Sequence, residues 1–344
     1  MFLISSFFLL ITISNILSKN IYYNYLKKED FQTEIDGKKV ELFFLTNKNG
    51  YELAITNYGG IIVSIMVPNK NNQFENIVQG YTSLKEYIQN QKKGEKINSL
   101  LGRYSNEIKN NEFILENKTY KVNALNYSIF GERVWAPVQI NSSELRLYYA
   151  SEDGENGFPG KLHIEVVYNL NDDNDLKISY SAITTKKTVI NISQKLFVNL
   201  EGNFNSEIKN HFLSLNSKLY LPTDKNKIPF GDIKSVENTL YDFNGGKNIG
   251  EKNLDNYFVL DKKNSRNYKN LVIGGILKEN KSGRMMEIST SEPGLKVNSG
   301  KYGISIEAMH FPNSPNFGFF PSTMLKAGEI YRQETIYHFY VRKD

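Results

Sequence analysis

The chain has 344 residues, 42 Lys+Arg against 37 Asp+Glu for a formal charge of +5, and no cysteine. Charges of both signs are interspersed and no basic block stands out, which argues for solubility and against a nucleic-acid surface. The length suits one large all-β domain, and 22 Tyr and 21 Phe among frequent Asn/Gly turns favour strands.

Met1 to Ile13 is an uncharged apolar run, broken at Ser14-Asn15 and followed by Lys19. It is short of the ~20 residues of a spanning helix and fits a signal-peptide core. The expectation is that residues 1–18 are removed and the protein enters the secretory pathway; an uncleaved anchor is the alternative. No second apolar run follows, so no further membrane insertion is expected. Five Asn-x-Ser/Thr sequons, at Asn117, Asn126, Asn141, Asn191 and Asn280, carry meaning only in that pathway. A β core of this size needs no disulfides, so the missing cysteine is compatible with secretion.

Residues 19–36 read as a linker or first edge strand, and 37–344 as the domain. Lys38 to Leu45 reads as one strand, with a hairpin turn at Asn47-Lys48-Asn49-Gly50. Glu52 to Thr56 and Ile61 to Val67 follow, and Thr82 to Gln89 is the one modestly helical stretch. Strands are then expected at 113–115, 118–122, 145–150, 162–170, 176–183, 188–192 and 197–200. Phe212 to Leu221 reads as one strand, followed by 258–260, 271–277, 285–290 and 334–341. The recurrence at roughly ten residues is that of a β-sandwich rather than of βαβ units.

Near the end, Ile304, Ile306 and Ala308 alternate with Ser305, Glu307 and Met309. Period two places the Glu307 carboxylate on the face of Ser305, away from the apolar face. A Pro/Asn-rich loop, Phe311 to Pro321, follows. An acid at a strand end beside an aromatic loop suits a sugar site; a solvated outward charge is the plain alternative. No metal-ligand spacing, phosphate-cradling glycine loop or nucleophile elbow occurs, so no metal or other cofactor is expected. The histidines (His163, His211, His310, His338) are scattered and read as packed or turn residues.

A series of segments in fixed order then gives a resemblance. They are Thr56-Asn57-Tyr58-Gly59-Gly60, Gly102-Arg103-Tyr104-Ser105-Asn106, Gly131-Glu132-Arg133-Val134-Trp135 and Asp153 to Gly160. Tyr220-Leu221-Pro222-Thr223, Ile228-Pro229-Phe230-Gly231, Asp255 to Leu260, Ser291 to Leu295 and Glu307 to Thr323 complete the series. Together they resemble the aldose 1-epimerase (galactose mutarotase) family from about Gly37 to the C-terminus. The resemblance implies a single-domain, large antiparallel β-sandwich of the galactose mutarotase-like supersandwich type. It also implies an open groove for a monosaccharide, a glucose- or galactose-type aldohexose in its pyranose form.

The family's reaction moves protons on a cyclic hemiacetal: a carboxylate takes the O1 proton while a general acid protonates the ring O5. The resemblance puts Glu307 at the base, Arg103 at a substrate-binding arginine and Asp255 at a carboxylate that holds sugar hydroxyls. Lys195 stands where the catalytic histidine is expected, and Leu125 to Phe130 replaces a second histidine-bearing segment. Lys296 takes the place of a binding glutamine, and Asn106-Glu107 that of an Asn-Arg pair. Arg103 as a surface ion pair and Asp255 as a turn cap are the plainer readings of those two.

A lysine of ordinary pKa ~10.4 is a poor acid at pH 7, and losing a general acid costs ~10²–10⁴-fold. The reading is therefore a secreted, sugar-binding member with weak or lost mutarotase activity. An active epimerase using Glu307 as base and Lys195 as acid is the first alternative. A secreted interaction protein without a sugar ligand is the second; its protein partner is not legible.

Overall fold

Leu162, Ile164, Val166, Tyr168 and Leu170 are buried, and the residues between them are half-buried or exposed. The same alternation runs through Asp175–Thr184, so each strand turns one face inward. The computed structural model describes residues 26–342 apart from 96, 124–128, 252 and 264–265. The expected signal peptide and most of the 125–130 segment lie outside the described residues.

The architecture is all-β, and every ladder between its named strands is antiparallel. A ten-stranded sheet carries Leu162–Leu170, Asp175–Thr184, Ile330–Val341, Arg284–Thr290 and Leu271–Lys278 side by side at its centre. A six-stranded sheet runs Phe197–Val198, Ile304–Met309, Gly294–Ser299, Asp255–Val259, Leu219–Leu221 and Lys234–Ser235. Ile304, Ile306, Ala308, Leu295, Val297 and Phe258 of this sheet share one core with Val166, Tyr168, Ile288 and Tyr337 of the other. The two sheets therefore pack face to face over a common apolar layer. Cutting Ile306 back to alanine would cost about 2–5 kcal/mol by the usual range for such sites.

A four-stranded sheet, Leu42–Thr46, Glu52–Thr56, Ile61–Pro68 and Phe74–Asn76, adds Leu45, Leu53, Ile62 and Ile65 to that core. The helix spans Leu84–Gln91, two residues later than its sequence suggests. Ser83 caps it, accepting from the Glu86 amide at 3.4 Å.

Two expected strands are each divided. Lys38–Val40 and Leu42–Thr46 separate at Glu41, whose amide donates to Asn57 Oδ1 and whose carbonyl accepts from the Asn57 amide. Lys38–Val40 instead pairs with Thr33–Ile35 through the Asp36-Gly37 turn, where both residues have positive φ. Phe212–Leu215 joins the ten-stranded sheet and Leu219–Leu221 the six-stranded one. The crossing is fixed by Ser217, whose hydroxyl lies 2.6 Å from the carbonyls of both Leu219 and Val259.

Candidate functional site

The strand Ile304–Met309 is buried on both faces. Residues directly opposite in a ladder share a face, so the register fixes what surrounds Glu307. Glu307 faces Lys296, Lys296 faces Tyr257, and Tyr257 faces Leu221. One step along, Ser305, Asn298 and Asp255 form the neighbouring row. A carboxylate, an ammonium, a phenol and a second carboxylate thus meet on the side of the sheet turned away from the common core.

Glu307 is 2% exposed and accepts a hydrogen bond from Ser305 Oγ at 2.7 Å. The solvated outward charge is excluded by that burial. Lys296 Nζ lies 3.7 Å from Glu107 Oε1, 3.8 Å from Asp255 Oδ1 and 5.0 Å from the centre of the Tyr257 ring. Asp255 is held on its other oxygen by Lys227 at 2.9 Å, an ion pair rather than a turn cap. Tyr257 donates to Glu107 Oε2 at 2.6 Å. Burial, helped by the charge of Glu107, pushes the Tyr257 phenol well above its ordinary pKa, so it stays a donor.

Lys195 reaches the same side. Phe197 pairs with Ser305, and Lys195 Nζ sits 5.2 Å from the Phe197 ring centre, a cation–π contact. No ion pair joins Lys195 to Glu307 among the described residues. The segment before it is clamped: Ser193 Oγ donates to the Ala308 carbonyl at 2.8 Å, and Gln194 Nε2 donates to the Asn98 carbonyl at 2.7 Å. The sequence step from Asn191 to Lys195 is thereby locked against the end of the Glu307 strand.

Two expected contact residues fall differently. Asn106 is fully buried and donates to the His310 carbonyl, with its Oδ1 unpartnered among the described residues. Arg103 is 1% exposed, and its guanidinium donates to Ser151 Oγ and to the carbonyls of Ser151, Glu152, Phe158, Pro159 and Gly160. A guanidinium so engaged has no donor left for a sugar hydroxyl. It is neither a ligand contact nor a surface ion pair but an internal anchor. The residue of this segment that enters the charged cluster is Glu107, four positions on. The sequence signal was present, since Glu107 stood where an arginine was expected. Tyr257 and Lys227 were not singled out; the period-two step from Asp255 was the available sign for Tyr257.

The histidines sit elsewhere. His310 Nδ1 lies 2.5 Å from Glu292, His338 Nδ1 2.8 Å from Asp175, and His211 Nε2 accepts from the Leu200 amide. His163 pairs with Ala150 and Ile183 in the ten-stranded sheet. The cluster therefore places carboxylate acceptors beside lysine and tyrosine donors. Among the described residues, no group of His, Asp and Glu is placed to hold a metal ion.

Known proteins share this arrangement of strands. Residues 41–338 match the model of the family described as Aldose 1-epimerase. The chain is 28% identical over 330 residues to a galactose mutarotase from Sus scrofa, covering 87% of this chain and 94% of that one. It is 27% identical over 341 residues to an aldose 1-epimerase from Escherichia coli, covering 88% and 96%. A crystal structure of an aldose epimerase homologue from C. elegans matches with a TM-score of 0.80 at 25% identity, over 88% of this chain and 99% of that one.

Proposed function

We propose a function from the premise that this chain belongs to the aldose 1-epimerase family: it binds a hexose pyranose over Glu307, with mutarotase activity weak or lost. The observation that carries this reading is Lys296, which ties Glu107 to Asp255 across the cluster. Lys296 and Asp255 stand at positions for which the family resemblance implies sugar contacts. A sugar entering there must loosen ion pairs that already hold the carboxylates, and it meets no imidazole. Lys195 supports the same conclusion, because its ammonium is held over the Phe197 ring where the family resemblance implies an imidazole acid. Galactose mutarotases and aldose 1-epimerases among the relatives support a monosaccharide; a glucose- or galactose-type ligand is the finer part of the proposal.

An active epimerase is the second reading, and one observation favours it. Ser305 bonds Glu307 Oε1, and Oε2 has no partner among the described residues, so it is free to take a proton. Lys195 is then the acid. A third reading, an interaction protein without sugar, loses all ground once a hexose binds. Secretion belongs to the proposal as well, supported by the apolar run from Met1 to Ile13.

Calorimetry with glucose and galactose, beside a polarimetric anomer-conversion assay, tests all three. Binding without conversion above the uncatalysed rate is the expected result. Rapid conversion would establish the second reading, and no binding at millimolar sugar the third.

A further inference from the structure

Glu292 is 3% exposed, and its Oε2 lies 2.5 Å from His310 Nδ1. A buried carboxylate at that distance keeps the proton on Nδ1 and fixes the ring, as second partners of histidine do elsewhere. The other ring nitrogen, Nε2, has no hydrogen-bond partner among the described residues. The reaction over Glu307 makes no use of this pair.

His310 lines a cavity of about 770 Å³, within the ~300–1,000 Å³ range of small-molecule sites. Leu219, Val259, Leu260, Pro293 and Phe311 form its apolar walls. Lys218, Lys262 and Lys263 also line it, against Asp261 as the one carboxylate of the lining. Lys262 donates to the Ser291 carbonyl at 2.7 Å, which holds its ammonium at the site, and burial lowers its pKa. Glu307, Lys296 and Asp255 are not among the lining residues. Val259 lies two residues along its strand from Tyr257, so the cavity adjoins the charged cluster without containing it.

We propose that this cavity is a second binding site, for a small anion carrying an apolar or aromatic body. The body packs on the Leu219–Val259–Phe311 walls. The anionic group is held by the lysines, beside the His310 ring that Glu292 fixes in place. Three lysines outnumber the single carboxylate among the described lining residues, so a neutral ligand of the same shape forgoes the charge-assisted bonds. The site stands independently of the sugar reading.

Calorimetry on the full chain with phenyl phosphate, inorganic phosphate and benzyl alcohol separates body from charge. Phenyl phosphate is expected to bind about tenfold or more tightly than either of the others. His310→Gln and Lys262→Gln are each expected to weaken it by roughly tenfold, and Glu307→Gln to leave it unchanged. Lys262 is exposed, so its variant carries the test if His310→Gln fails to fold. No phenyl phosphate binding at about 10 mM, a Kd far weaker than ordinary millimolar ligands, overturns the proposal. So does equal binding of all three probes, or indifference to Lys262→Gln. A loss on Glu307→Gln places the anion in the charged cluster and overturns it too, while leaving the sugar reading standing.

Discussion

Lys296 stands directly across the sheet from Glu307, in register on the neighbouring antiparallel strand, and its ammonium reaches Glu107 and Asp255 at 3.7 and 3.8 Å. One cation thus sits beside the proposed base and closes the two carboxylates around it. These separations are ion-pair distances and too long for good hydrogen bonds, so the closure is electrostatic and reversible.

Lys296→Gln is expected to open the cluster. Without the ammonium, Asp255 Oδ1 is free for a sugar hydroxyl, and hexose affinity should rise by about 3–10-fold, or ~0.7–1.4 kcal/mol. The partly exposed pairs contribute about 0–1 kcal/mol to stability, so the fold should hold. Calorimetry with galactose on both proteins reads the outcome; unchanged or weaker binding argues against a closed cluster.

Glu307→Gln separates catalysis from binding. Where the parent shows measurable conversion, the variant should lose ~10²-fold or more, because the base is gone. Sugar affinity should shift by only ~0.5–1.5 kcal/mol, the worth of one hydrogen bond exchanged with water. Asp255→Ala should weaken binding in either case. Paired conversion and calorimetric measurements on the three proteins distinguish these patterns.

Acid should destabilise the protein in two windows. Burial pushes the His211 imidazole down to about 4, below its ordinary value near 6.5. Between those values the unfolded chain binds the extra proton, so stability falls as pH drops from about 6.5 to 4, by roughly 3 kcal/mol at most. For Asp175, burial acts upward but is outweighed by hydrogen bonds from His338, Lys269 and Asn171, giving about 2. Its contribution is full above the ordinary carboxylate value near 3.9 and is lost as pH falls toward 2. Urea midpoints against pH should show both steps, and His211→Gln should remove the upper one.

Asn191 should carry no glycan even where the other sequons do. Its side chain is fully buried, accepting from the His310 amide at 3.1 Å and donating to the His310 carbonyl. Asn117, Asn141 and Asn280 are exposed. Asn191→Ala should cost about 1–3 kcal/mol by stranding a buried amide. Peptide mass mapping of protein made in a secretory host checks the first expectation, and chemical denaturation the second.

Much of the framework was written in local pattern. The alternation from Ile304 to Met309 placed Glu307 on the face of Ser305, where the hydroxyl now holds it. Asp255, Lys296 and Glu307 come together because three strands pair in one register, which the ordered motifs implied. What local pattern hid was long-range. Phe212 to Leu221 is apolar enough for one strand, and nothing local announces that Ser217 sends its two halves to different sheets. Arg103 looked like a groove residue because its partners, Ser151 to Gly160, lie about fifty positions away. Glu107 was visible as a substitution, but its pairing with Tyr257 across 150 positions was not.

The engagement of Arg103 has a consequence beyond the groove. Its guanidinium binds the 151–160 segment at several points, and Arg284 does the same for Val67, Leu200, Glu201 and Glu75. Each arginine joins stretches that are distant in sequence, the task a disulfide performs in many exported proteins. A cross-link made of hydrogen bonds needs no oxidant to form and no isomerase to correct it, and thiols do not cleave it. The chain can therefore mature with the same internal fastenings in an oxidising lumen or a reducing cytosol.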